Sequence, residues 1–361
     1  MTDIRPDDLR AAVDAGRISE AQAASLITLA EQRAGVRTSA DPTEEPFELF
    51  RGFNEVFIVT GLAILAFGWI GVVGLAFIDS MTGPTFLGAS LGSLAVLYGV
   101  SHYFIRKRRM VGPAFLLSGL AVFGAFCLAL SLAMTLFESV LDTEPTEQLL
   151  LLFVMGTAVS VVGFFWYQFR VPILLGALAL SAYTIILILL SPGWDVFTYP
   201  GGIFLLTGTR YVGTVTLITG LAVFIAAMWF DLKDRHRVTR HAANAFWLHA
   251  VAALLIISPV GTSLLLTGDT LSISLLLGFI AAMAFIAVIV DRRSFLMASI
   301  IYVVSVSTRV GDTETIAVLI TILGLALTLL GAKWTDLRAL LMRLPPLRPI
   351  AHHLPPTKDT P

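Results

Sequence analysis

Ten long stretches of this chain contain no Asp, Glu, Lys or Arg: 56–78, 80–105, 110–137, 148–169, 171–194, 211–230, 241–268, 270–290, 294–308 and 315–332. A helix needs roughly 20 mainly apolar residues to cross about 30 Å of hydrocarbon. The first eight stretches meet that length comfortably. The ninth is short and is followed by Arg309, whose side chain can snorkel to the interface, and the tenth is near the lower limit. The pattern predicts an all-α fold, a polytopic transmembrane bundle of about ten helices. Composition agrees: 57% of residues are hydrophobic and 14% charged, against about 25% charged in a soluble domain.

The connections between these stretches alternate in charge. With the N-terminus inside, the inner connections carry eleven basic residues: Arg106, Lys107, Arg108, Arg109, Arg170, Lys233, Arg235, Arg237, Arg240, Arg292 and Arg293. The outer ones carry two, Arg210 and Arg309, and the connection after the third stretch holds Glu138, Asp142, Glu144 and Glu147 with no base. Cytoplasmic connections are enriched in Lys and Arg, so both termini are expected in the cytoplasm. Dropping one helix would invert every later connection, so the alternation also supports the count. No basic stretch leading into a short apolar run precedes the polar first 40 residues, so insertion is expected to rely on the first span. Cys127 is the only cysteine and excludes an intramolecular disulfide.

Four regions follow. Residues 1–40 read as a cytoplasmic helical hairpin and linker. Gly16 ends a first helix, Ser19 caps a second, and Ala23, Leu26, Ile27 and Ala30 form a thin apolar stripe. So small a hairpin, residues 6–34, is expected to pack on a protein partner, a second copy or the membrane surface; a loosely ordered tail is the alternative. Residues 41–54 lead Phe47, Phe50, Phe53 and Phe57 along one helical face, an interfacial segment or an extension of the first span. Residues 55–334 form the bundle. Residues 335–361 begin as a basic amphipathic helix suited to an anionic leaflet, with Leu337, Leu340, Leu341 and Leu344 beside Arg338 and Arg343, and end in a Pro-rich tail.

Lipid is as apolar as leucine, so helices in a bilayer associate by close packing. Glycines recur seven residues apart at 61/68, 92/99, 112/119, 156/163, 213/220 and 324/331, which predicts glycine-lined contacts. The alternative is that glycine is simply common in membrane helices.

Chemistry is sparse. No acidic residue is expected deep in any span, which weakens proton-relay readings. There is no HExxH, no paired Cys and no carboxylate cluster, so no metal or other cofactor is assigned, and nucleic acid is not an expected partner. The best polar candidates lie in the seventh span, where His241, Asn244 and His249 share an arc of roughly 140°. His249 would sit about 12 Å deep and could titrate or bind a polar ligand. The plain alternative is a neutral histidine bonded to a backbone carbonyl or a serine. His102, near Tyr98 and Ser101, reads as an interfacial anchor. Pro259 could kink the seventh helix and free carbonyls for a ligand, though ordinary packing is favoured. The bases Arg106, Lys107, Arg108, Arg109, Arg235, Arg237 and Arg240 are expected to fix topology and to contact lipid headgroups. The outer connection 191–212 reads as an interfacial loop, with a re-entrant segment as the alternative.

Residues 230–258 read FDLKDRHRVTRHAANAFWLHAVAALLIIS, 291–299 read DRRSFLMAS, and 53–57 read FNEVF. These segments resemble a group of bacterial multi-pass membrane proteins of unknown function. The Gly16-Arg-Ile-Ser19 hairpin is similar to those ahead of other bacterial membrane domains. The resemblance implies a bacterial inner membrane and implies no activity. Three readings remain: a non-catalytic membrane scaffold or regulator, a permease of a small or lipidic solute using His249 and Asn244, and, least supported, an intramembrane enzyme. The first is slightly preferred.

Overall fold

A computed structural model describes residues 4, 6–33, 53–76, 82–137, 145–190, 212–234, 237, 240–295, 298–300, 302, 304 and 313–344. All regular structure among them is helical. The linker, most of the 41–54 segment, the 191–211 connection, Arg235 and the Pro-rich tail lie outside the described residues.

The elements are α1 (Pro6–Asp14), α2 (Glu20–Arg33), α3 (Phe53–Ala76), α4 (Gly83–Ser101) continuing as a π-helical turn (His102–Lys107), α5 (Val111–Leu136), α6 (Pro145–Phe169), α7 (Pro172–Leu190), α8 (Val212–Lys233), α9 (Arg240–Thr267), α10 (Thr270–Val290), α11 (Thr313–Ala332) and α12 (Trp334–Met342). Eight of them, α3 to α10, are long and apolar enough to cross a membrane. They match the first eight uncharged stretches, and the chain is a multi-pass membrane protein. Helix α11, 20 residues long, falls on the tenth stretch; the ninth is described only in part.

Local sequence explains the hairpin. Gly16 has φ +66, and the N–H groups of Gly16 and Arg17 return to the carbonyls of Val13 and Ala12, closing α1 in a Schellman turn. Ser19 and Gln22 then cap α2 reciprocally, each backbone N–H donating to the other's side-chain oxygen, at 2.9 and 3.2 Å. Ala23 and Ala24 are buried against Leu9, Val13, Ile18 and Ile27. The inward face thus runs through Ala24 rather than Leu26, which is exposed along with Leu29 and Ala30.

The chain divides into two compact units, one spanning 47–203 and the other holding the rest. Within 47–203, α5 is central. Ala114, Ala121, Ala125, Ala129 and Ala133 form one buried face packed with residues of α4, α6 and α7. Alanines four or seven residues apart let neighbouring backbones approach while keeping helix propensity. Most glycines of the seven-residue pairs do not carry this role. A Cβ placed at Gly61, Gly68, Gly92, Gly99, Gly119, Gly156, Gly163, Gly324 or Gly331 would meet no atom within 4 Å. Gly220 of α8 does sit at a close contact, where a Cβ would lie 2.9 Å from the backbone carbon and Cβ of Leu255 in α9. Those two helices are pressed together over an alanine face of α9 that includes Ala245, Ala252 and Ala253. Pro259 stays inside a continuous α9, and its neighbour's carbonyl, Ser258 O, accepts the Tyr302 hydroxyl at 3.2 Å.

Candidate functional site

Burying a charge in an apolar medium is costly unless it is paired and hydrogen-bonded. The unit containing α8 to α12 nevertheless buries six charged side chains among its described residues: Asp231, Asp234, Asp291, Arg237, Arg292 and Arg338. Three acids face three bases, so the set is neutral when His249, buried beside them, is neutral.

Two carboxylates organise the set. Asp231 sits in the last turn of α8. Arg292 grips both its oxygens, Nε donating to Oδ2 at 3.2 Å and Nη2 to Oδ1, the forked geometry in which guanidinium and carboxylate bind most strongly. His249 Nε2 lies 2.7 Å from the same Oδ2. The imidazole is 0% exposed, with Phe224 and Phe295 edge-on at 5.4 and 6.0 Å. The second carboxylate is Asp291, at the end of α10. Arg237 Nη1 reaches its Oδ2 at 2.9 Å, and Arg237 Nη2 donates to the Asp291 carbonyl at 2.9 Å. The indole N–H of Trp334, in α12, donates to Oδ1. Burial works to raise the Asp291 carboxyl, but Arg237, Arg338, the Trp334 N–H and Arg292 outweigh it and hold it below its ordinary value.

The backbone aims these groups inward. Asp291 adopts φ 61, and the Arg292 N–H returns to Ala287 O at 2.8 Å, so the chain turns sharply at the end of α10. Arg237 is likewise left-handed at φ 56. Such values cost L-residues of order 1 kcal/mol or more and persist only where surrounding contacts impose them. Asp234 Oδ2 accepts the Ala242 N–H at 3.2 Å, satisfying a donor in the first turn of α9. Arg292 Nη2 also donates to Ala242 O at 3.2 Å. One cluster therefore ties together α8, the start of α9, the end of α10 and, through Trp334 and the buried Arg338, α12.

Several expectations change. Two carboxylates at the ends of spans are buried: Asp231, in the last turn of 212–233, turns toward His249, and Glu55, at the start of 54–75, accepts the Gly112 N–H at 3.3 Å. His249 is bonded to the Asp231 carboxylate rather than to a carbonyl or serine. Arg237 is 7% exposed, so it faces Asp291 and not lipid headgroups. Helix α12 is not amphipathic in the expected sense, because Trp334, Arg338 and Met342 are its buried stripe while Leu340 is exposed. Asn244 is half-buried, and among the described residues no hydrogen bond joins it to His249. His241 lies 5.6 Å from the Phe230 ring. His102 is exposed in the π-helical turn, as are Arg106, Lys107, Arg108 and Arg109, and Arg240 is exposed at the start of α9. Among the described residues no group of three His, Cys, Asp or Glu could hold a metal. No protein-family model, no curated protein and no solved structure matches this chain.

Proposed function

We propose that the chain is a non-catalytic scaffold or regulator of a bacterial cytoplasmic membrane, with both termini on the cytoplasmic side. One observation favours this over a permease: the carboxylate bonded to His249 is already held on both oxygens by Arg292. A solute site needs donors and acceptors able to exchange partners, whereas Asp231 is held by a forked guanidinium and an imidazole at once. Such a cluster acts as a clamp on helix ends. The hairpin supports a recruiting role, since α2 presents Leu26 and Leu29 outward on a short, capped unit. Sidedness draws support from the eleven bases on one set of connections against two on the other, and the bacterial location from the segments at 230–258 and 291–299.

The test is complementation of a strain lacking the gene. A chain without residues 1–33 should insert at the wild-type level and fail to restore the phenotype. Restoration by that truncated chain, combined with loss of function in His249→Gln at unchanged membrane level, would reverse the reading in favour of a permease.

A further inference from the structure

The unit 47–203 carries a second concentration of charge, of opposite character to the buried clamp: exposed, and almost wholly positive. The α4–α5 connection holds Arg106, Lys107 and Arg108, with Arg109 alongside, and the α6–α7 connection holds Arg170; all are exposed. Residues 102–110 and 169–171 contain no acid. Both connections lie at the same end of antiparallel neighbours, and they touch. Arg106 donates to the Gln168 carbonyl from Nε at 3.2 Å and Nη2 at 2.7 Å, and Gln168 Nε2 donates to the Tyr98 hydroxyl at 2.8 Å. Glu55, in the same unit, is buried and accepts the Gly112 N–H.

Aromatic rings set the level of this surface. Arg170 lies over Trp166 at 4.8 Å and Tyr167 at 5.2 Å, and Arg108 over Tyr103 at 5.7 Å. Tyr and Trp with basic residues just beyond an apolar span mark the headgroup region of a bilayer. The candidate spans 83–107 and 147–169 end at these residues. The backbone is also irregular there, with a π-helical turn at 102–107 and left-handed Arg109 and Arg170, both at φ 53. Arginine occupies the position where glycine is usual.

We infer that the joined α4–α5 and α6–α7 connections form a binding surface for the headgroup of an anionic phospholipid. Arg106 acts as the brace between the two connections. Lys107, Arg108 and Arg170 supply the charge that meets the phosphate, and the rings beneath them lie against the acyl-chain boundary. This surface is independent of the scaffold reading, since a permease would carry it equally.

The experiment uses the purified full chain in detergent with an equimolar mixture of phosphatidylglycerol and phosphatidylcholine, and native mass spectrometry to count retained lipids. Wild type should retain phosphatidylglycerol preferentially. Each base near an anionic surface is worth about fivefold, so the triple variant K107Q/R108Q/R170N should lose the preference by on the order of 100-fold. Asn at 170 tolerates the left-handed backbone, and Arg106 is left in place to hold the connections together. Should the triple variant fold poorly, the wild-type salt dependence decides: the preference should weaken steeply as ionic strength rises. A triple variant with wild-type preference, or a wild-type preference indifferent to salt, overturns the inference. So does displacement of the lipid by inorganic phosphate where chloride at equal ionic strength leaves it bound, because the occupant would then be a free anion.

Discussion

Replacing Asp231 by Asn keeps the side-chain volume and removes one charge. Arg292, 1% exposed, would then face an amide instead of a carboxylate, and the balance of three buried acids and three bases would shift to two against three. Removing one partner of a buried ion pair costs about 3–5 kcal/mol, because the other charge is left without compensation. In a unit of this size that lowers Tm by on the order of 10 °C. The double variant D231N/R292M removes both charges and should be more stable than the sum of the single losses predicts, with a coupling of about 2 kcal/mol or more. Thermal unfolding in detergent, followed by tryptophan fluorescence, reads all four proteins. If Asp231→Asn unfolds within about 1 kcal/mol of wild type, or if the double variant simply adds the single losses, the cluster is not a clamp and the reasoning fails.

Three further outcomes follow from the same contacts. Gly220→Ala should cost about 1–3 kcal/mol by overpacking against Leu255, while Gly61→Ala should stay within about 0.5 kcal/mol; the same unfolding assay compares them. Asp291 titrates below its usual value in the folded chain, so its contribution is complete above roughly pH 4 and is lost as pH falls through the lower folded value. The stability gap between wild type and Asp291→Asn should therefore close on acidification, and a pH-independent gap would contradict this. Trp334→Phe keeps an aromatic ring at a buried site but removes the N–H bonded to Asp291 and some packing volume. It should cost about 1–3 kcal/mol and make α12 more sensitive to limited proteolysis.

The spans were readable because one physical demand, an uncharged length matched to hydrocarbon, leaves a plain trace in sequence. The clamp was not, because its partners are distant in the chain. Asp231 and Arg292 are 61 residues apart, and no local periodicity reports such a pairing. At the ends of apolar stretches a base that fixes topology looks the same as a base destined for burial, and Arg237 carries the sequence signature of the former. A signal did exist: Asp231, Asp234 and Asp291 stand among the bases of supposedly positive connections, where topology alone asks for no acid. The packing seams are hidden in a similar way. Glycine recurs at sevens, but the close faces of α5 and α9 are built from alanine, whose abundance in any helix hides its role. The hairpin was clearest, since Gly16, Ser19 and Gln22 act within a few residues of one another.

The neutrality of the clamp has a consequence for how the chain is made. Its charges are delivered in sequence order: Asp231, Asp234 and Arg237 first, then Asp291 and Arg292, and Arg338 last. A nascent chain that has emerged only through α10 carries two of the acids against a single base. Until Arg292 and then Arg338 have been synthesised, Asp231 in the last turn of α8 and Asp234 in the α8–α9 connection lack the full set of bases that offsets them. Their final seating must await the last helix, and a chain cut short before Arg338 would present quality-control proteases with an unbalanced, loosely docked hairpin.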